Sequence, residues 1–367
     1  MRIYERFREE DWKRIERDWT AWWEGILERP LVMIESQDPS ENAILSDART
    51  VSERVGLITG SSLDSSLDVV LDHYQRVLEA TMFYGDAWPK WFPNVGPCIV
   101  AAFLGADIYC NEKTSWYSST GEIDIADLQF SYDEENIWWQ RIRALTKGAI
   151  DRWGSSVSVG FPDLCGSLDI LASFRSTINL SMDLYDAADE VKRNLRDITQ
   201  LWIRYYNGLH AIIKKAERGT TPWASIWSPK RCYMLQCDFS YMISPRMFEE
   251  FVIPDLEECL ESLDHAFYHL DGAGQLNHLD ILMSLDRLKG IQWIPGYGNR
   301  EPEEWPEVLN RIHNAGKLCQ LYVTAEGALK IVRELGGRGF AFYIWDRMSH
   351  EEAESFLKEF ETESSGH

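Results

Sequence analysis

Residues 263–298 read LDHAFYHLDGAGQLNHLDILMSLDRLKGIQWIPGYG. The apolar run 266–270 predicts a short strand, ending in the polar tip His269-Leu270-Asp271-Gly272 with Gly274 close behind. Leu276, Leu279, Ile281, Leu282 and Leu285 recur at helical spacing, so a helix is expected next. Gly290 is expected to stop it, and Ile291-Gln292-Trp293-Ile294 to open a new strand closed by Pro295-Gly296. Strand, turn, helix, strand is one βα unit. Polar residues at the C-terminal tip of such a strand are where βα enzymes keep their chemistry.

Working outward, the same alternation repeats. From residue 150 onward, predicted strands at 156–160, 222–227, 232–237, 266–270, 291–294, 317–323 and 339–344 alternate with helices. Ser244-Pro245 opens one of those helices with a hydroxyl cap and a proline at the first helical position. Unbroken alternation means a parallel sheet. Another strand at 31–36 brings the count near eight and favours a closed (β/α)8 TIM barrel. Residues 1–30 read as an amphipathic helical extension with Trp12, Ile15, Trp19, Trp22, Trp23 and Ile26 on one face. Residues 37–66 read as a polar excursion, 106–134 as a β insertion and 361–367 as a frayed tail. The expected organisation is one domain over 1–367.

Composition narrows the function classes. The net charge of −22 makes nucleic acid and anionic membranes poor partners. No apolar run reaches the roughly 18 residues that span a bilayer, and the charged start MRIYERFREEDWKR is no signal peptide, so a soluble cytoplasmic protein is expected. The seven cysteines form no CxxC pair, which argues against a disulfide framework or a zinc ribbon. Neither GxGxxG nor GxxxxGK[ST] occurs, so a nucleotide fold lacks its main support. The sixteen tryptophans suggest an aromatic-lined pocket.

The strand tips then form a familiar set. Met234-Leu235-Gln236-Cys237-Asp238-Phe239-Ser240, followed by Ile243-Ser244-Pro245-Arg246-Met247-Phe248-Glu249-Glu250-Phe251 and Pro254, is similar to the Q-x-x-D-S… L-S-P-x-x-F-x-E-F-x-x-P stretch of the uroporphyrinogen decarboxylase superfamily. Val159-Gly160-Phe161 resembles that family's Gly-Phe strand end, Tyr268-His269-Leu270-Asp271-Gly272 the H-x-C-G strand end of its methyltransferases, and the segment from Gly339 to Asp346 its last strand. The likeness is best over 155–360. Phe83-Tyr84-Gly85-Asp86 resembles the decarboxylases' segment with the catalytic aspartate. What the resemblance implies is a (β/α)8 barrel acting on a small molecule as a methyltransferase with a corrinoid protein partner, or as a decarboxylase. Homodimers are common in the family.

The departures are chemical. The first strand carries no arginine for substrate carboxylates, and five acids, Asp86, Asp163, Asp238, Asp271 and Asp346, stand at strand tips instead. The methyltransferases' zinc cysteines are replaced by Asp271 and Asp346. The resemblance thus implies His269, Asp271 and Asp346 as ligands of a divalent metal (zinc or a harder ion), or as hydrogen-bonding groups to an organic substrate without metal. Asp86, Asp238, His269, Asp271 and Asp346 are the candidate catalytic groups, and Trp223, Trp227, Gln236, Gln292, Trp293 and Tyr343 the candidate substrate wall. Methyl transfer is favoured slightly, because the metal motif's histidine is kept while the substrate-binding arginines are absent. A catalytically retired binding barrel is the remaining alternative. His278 is expected on a helix surface.

Overall fold

The computed structural model describes residues 3–37, 63, 65–110, 115–119, 121 and 123–364. Most of the expected excursion at 37–66 lies outside them. The strands are β1 Leu31–Gln37, β2 Thr81–Gly85, β3 Lys90–Trp91, β4 Asp107–Cys110, β5 Ser115–Ser118, β6 Ser158–Val159, β7 Cys232–Gln236, β8 His265–Asp271, β9 Leu288–Ile294, β10 Leu318–Val323 and β11 Phe340–Ile344.

The ladder β1-β11-β10-β9-β8-β7 is parallel throughout, and β3 pairs with β6 in parallel. Among the described residues these eight strands stand in barrel order, with helices outside. Two seams lie between the ladders. Asp86 N donates to Val32 O at 2.6 Å across the first. Across the second, Phe161 N donates to Thr221 O at 2.9 Å, and the Tyr233 hydroxyl donates to Pro162 O at 3.0 Å while accepting from Leu164 N at 2.7 Å. The fold is a (β/α)8 TIM barrel.

The N-terminal extension explains itself by its stripe. Helix Glu9–Trp23 buries Trp12, Ile15, Trp19, Trp22 and Trp23, the face its spacing predicted, while Ile26 is 61% exposed beyond the helix end. The helix plugs the barrel at the strands' N-terminal ends. Trp22 Nε1 donates to Phe340 O at 3.1 Å, Trp23 Nε1 to Trp227 O at 2.8 Å, and the Trp23 ring stacks on His265 at 4.2 Å. Among the described residues of 106–134 the β structure is the antiparallel ribbon β4–β5, and the other described residues are turns and loop.

Three expectations are corrected. Residues 222–227 form no strand. They rise to the level of His269 with Trp223 and return, the loop being closed by paired backbone bonds between Thr220 and Ser228 (2.7 and 3.0 Å). Ala224, Ser225, Ile226 and Trp227 are all buried within this loop. The helix after β8 is a 3₁₀ segment Ala273–His278 followed by only Leu279–Met283. Gly290 lies inside β9 rather than ending a helix.

Candidate functional site

The site is assembled by register. Gln236 of β7 pairs with His269 of β8, His269 with Gln292 of β9, and Gln292 with Gln320 of β10. Side chains at equal height on neighbouring strands share a face, so these four form one polar layer inside the barrel. The layer is wired. Gln292 Nε2 donates to Gln320 Oε1 at 2.5 Å, which leaves Gln292 Oε1 as acceptor for His269 Nδ1–H. The proton is thereby held on Nδ1, and Nε2 presents a lone pair to the barrel mouth.

Two residues further along β8, Asp271 faces the same side. Its Oδ2 stands 3.9 Å from His269 Nε2, too far for a hydrogen bond. Asp238, just past β7, completes the group: one ligand atom each from Asp238, His269 and Asp271 lies within 4.8 Å of the others. Among the described residues no other set of acidic, cysteine or histidine side chains converges this closely. Trp223 sets its ring edge-on to His269 at 5.0 Å. Tyr241, 58% exposed, lies on the backbone of the β8 tip, where Gly272 and Gly274 leave room for it.

Negative charge accumulates here. Burial raises Asp238. Burial, then the charge on Asp238, pushes Asp163 up to about 8. Asp169, in the first turn of helix Ser167–Arg175, is raised by the same two causes. Each shift reflects the cost of adding an anion to a partly dry acidic site. A cation would relieve it. Two amides of the polar layer also keep an atom without a hydrogen-bond partner, Gln236 Oε1 and Gln320 Nε2.

The remaining candidates are placed elsewhere. Asp86 is buried at the opposite end of the barrel. Its oxygens accept from Arg29 at 2.7 and 2.9 Å and from Val32 N at 2.8 Å, and Arg14 approaches to 3.7 Å. It ties the first strand to the N-terminal helix. Asp346 stands outside the group of three. Its Oδ2 accepts from Ala325 N at 2.5 Å, at the start of helix Ala325–Leu335. Trp293 points out of the barrel against Trp305, because it neighbours the inward Gln292. Trp227 belongs to the floor beside Trp23, its Nε1 donating to Arg218 O at 2.8 Å. The aromatic pocket therefore reduces to Trp223 and Tyr241. Tyr343 is inside the barrel, edge-on to Tyr322 at 5.3 Å. Its ring and that of Trp88 flank Lys90, which forms a buried ion pair with Glu35. His278 is buried, not on a helix surface, and its Nε2 donates to Ser240 O at 2.8 Å.

Sequence reading missed Asp169, Gln320 and the Glu35–Lys90 pair. For Asp169 a signal existed: an acid in the first turn of a helix directly after a strand tip. Nothing local distinguishes Gln320, whose place follows from the register with Gln292.

No protein-family model matches the chain, and no curated protein does. Among solved structures, a B12-independent methionine synthase from Shewanella sp. W3-18-1 in complex with selenomethionine is 12% identical, with a TM-score of 0.33 over 71% of this chain and 73% of its own. A methyltransferase from Methanosarcina mazei aligns over 95% of this chain and 98% of its own, with a TM-score of 0.59 at 11% identity. At that identity the likeness is one of fold: this chain is similar to the Methanosarcina methyltransferase as a TIM barrel over nearly its whole length.

Proposed function

We propose that this chain is an enzyme that holds a divalent metal ion on Asp238, His269 and Asp271 at the mouth of the barrel and acts there on a small molecule, methyl transfer being the favoured reaction. The observation that carries it is the convergence of three ligand atoms within 4.8 Å, one of them an imidazole nitrogen whose lone pair is fixed by the Gln292–Gln320 chain. Ligand bonds of about 2.0–2.2 Å to nitrogen and carboxylate oxygen suit this spacing after small side-chain adjustments. One imidazole and two carboxylates are a harder donor set than the thiolate site of the resembled methyltransferases, and suit manganese, iron or zinc bound through oxygen. Asp238 takes the place expected of Asp346.

A metal there supplies Lewis acidity toward a substrate oxygen or nitrogen. The protein's own contribution is positional. Gln292 orients His269, and the Trp223 edge shields one side of the imidazole from water. With three protein ligands, coordination positions remain for substrate. The resemblance to the uroporphyrinogen decarboxylase superfamily and the fold of the Methanosarcina methyltransferase support methyl transfer over other metal-assisted reactions. A corrinoid protein partner and a homodimer belong to the same reading.

The test is elemental analysis of protein purified without chelator or metal column, with Asp271→Ala, Asp238→Ala and Asp346→Ala beside wild type. One equivalent of divalent metal in wild type and Asp346→Ala, absent from the other two, is expected. Absence from wild type sinks the metalloenzyme. A second reading is decarboxylation by acid–base chemistry, with Asp163 as the acid, since burial and the charge on Asp238 push it up to about 8. In that case activity falls as pH rises through about 8.

A further inference from the structure

Asp238 is the ligand with the least support from its own strand. It lies past the end of β7, on the 3₁₀ turn Asp238–Met242. Something outside β7 has to fix it. The turn as a whole is tied at two points: His278 Nε2 donates to Ser240 O at 2.8 Å, and the Tyr241 ring lies on Gly272 and Gly274. Neither acts on Asp238 itself.

Asp169 does. Its Oδ2 accepts from Asp238 N at 3.0 Å and its Oδ1 from Phe239 N at 2.7 Å. Both oxygens of one carboxylate are thus spent on two consecutive backbone amides of the neighbouring βα unit. The close approach depends on Gly166. A Cβ there would stand 2.2 Å from Gln236 O and 3.1 Å from Asp169 Oδ2.

This clamp is a costly choice for mere turn-capping. A serine or asparagine could cap the amides without charge, whereas Asp169 brings a second anion against Asp238. The arrangement makes sense if a cation shares the field. We infer that Asp169 is a positioning residue that holds Asp238 in ligand geometry for the bound metal. The inference rests on the metal reading above and adds to it a residue that touches no metal.

The test titrates metal-free full-length protein with Mn²⁺ by calorimetry and records the visible spectrum of the Co²⁺ form. Wild type, Asp169→Asn, Asp238→Ala and the double variant are compared, with the thermal midpoint of each metal-free protein as control. Asparagine keeps one acceptor oxygen and sets an NH₂ against a backbone N–H. Expected is a tenfold or greater loss of Mn²⁺ affinity and an altered Co²⁺ spectrum in Asp169→Asn, with the metal-free midpoint shifted by a few degrees at most. Adding Asp169→Asn to Asp238→Ala should cost no further affinity, because the effect runs through Asp238. Should Asp169→Asn fail to fold, Asp169→Glu, which keeps both oxygens but moves them by a methylene, is expected to lose affinity likewise. Wild-type affinity and spectrum in the folded Asp169 variant would overturn the inference and leave the metal site standing. No binding by wild type would overturn both.

Discussion

At the scale of single residues, the barrel turns an amide into a tautomer selector. Gln292 is fully buried and bonded on both ends, to His269 and Gln320. Gln292→Met keeps the volume and removes the chain, so the imidazole loses its fixed orientation. A 10–100-fold drop in metal affinity is expected, the range typical of lost outer-shell partners, measured by Mn²⁺ calorimetry. His269 and Asp271 were legible in the sequence as polar residues at a strand tip, and Gln292 as a polar residue within an apolar strand run. Trp293 was misplaced for a simple reason: consecutive residues of a strand cannot share a face. Asp255 gives a pH signature away from the site. Burial pushes it up to about 7. Its folded value lies above its unfolded one, so its stabilising effect is complete below about pH 4 and lost as pH rises through 7. Asp255→Asn should therefore match wild type in urea denaturation at pH 4 and exceed its midpoint at pH 8.

At the scale of elements, the strands that build the site were legible and what lies between them less so. β7, β8, β10 and β11 fall within one residue of their expected bounds, since each carries a dense apolar run between turn signals, whereas β9 begins three residues before its expected start. The 222–227 run looked equally apolar, yet it packs as a loop whose tryptophans donate to backbone carbonyls, Trp223 to Met234 O and Trp227 to Arg218 O. Hydropathy does not report those bonds. Gly290 shows the opposite confusion. It was read as a helix stop, but within β9 it is the gap that admits the Phe267 ring. A Cβ there would stand 2.1 Å from Phe267 Cζ and 2.6 Å from Leu318 O. Gly290→Ala should destabilise the protein by about 2 kcal/mol or more, the usual range for overpacking a tight interior, measured by urea denaturation. Metal binding at native conditions should persist.

At the scale of the molecule, the alternation of strands and helices after residue 150 was enough to indicate a barrel, whereas the division of labour between its two ends was not. Asp86 was grouped with the other acids because all follow strands. Only the fold separates it, at the N-terminal end, where two arginines face it. Its removal should therefore affect stability and not metal. Asp86→Asn is expected to cost about 3 kcal/mol, as when a buried pair loses one partner, and to lower the thermal midpoint while Mn²⁺ affinity stays at the wild-type value.

The plug at that end also has a bearing on how the chain is made. Helix Glu9–Trp23 leaves the ribosome early, but the carbonyl that receives Trp22 Nε1 belongs to Phe340, 318 residues later, and Arg338 bonds back to Gly25. During synthesis Trp22 lacks this partner, and the plug its full floor, until the last barrel strand emerges. Contacts this distant in sequence form slowly, and apolar surface that waits for them invites association with other chains. The nascent protein should be most dependent on chaperones, and most prone to aggregate, just before β11 is complete.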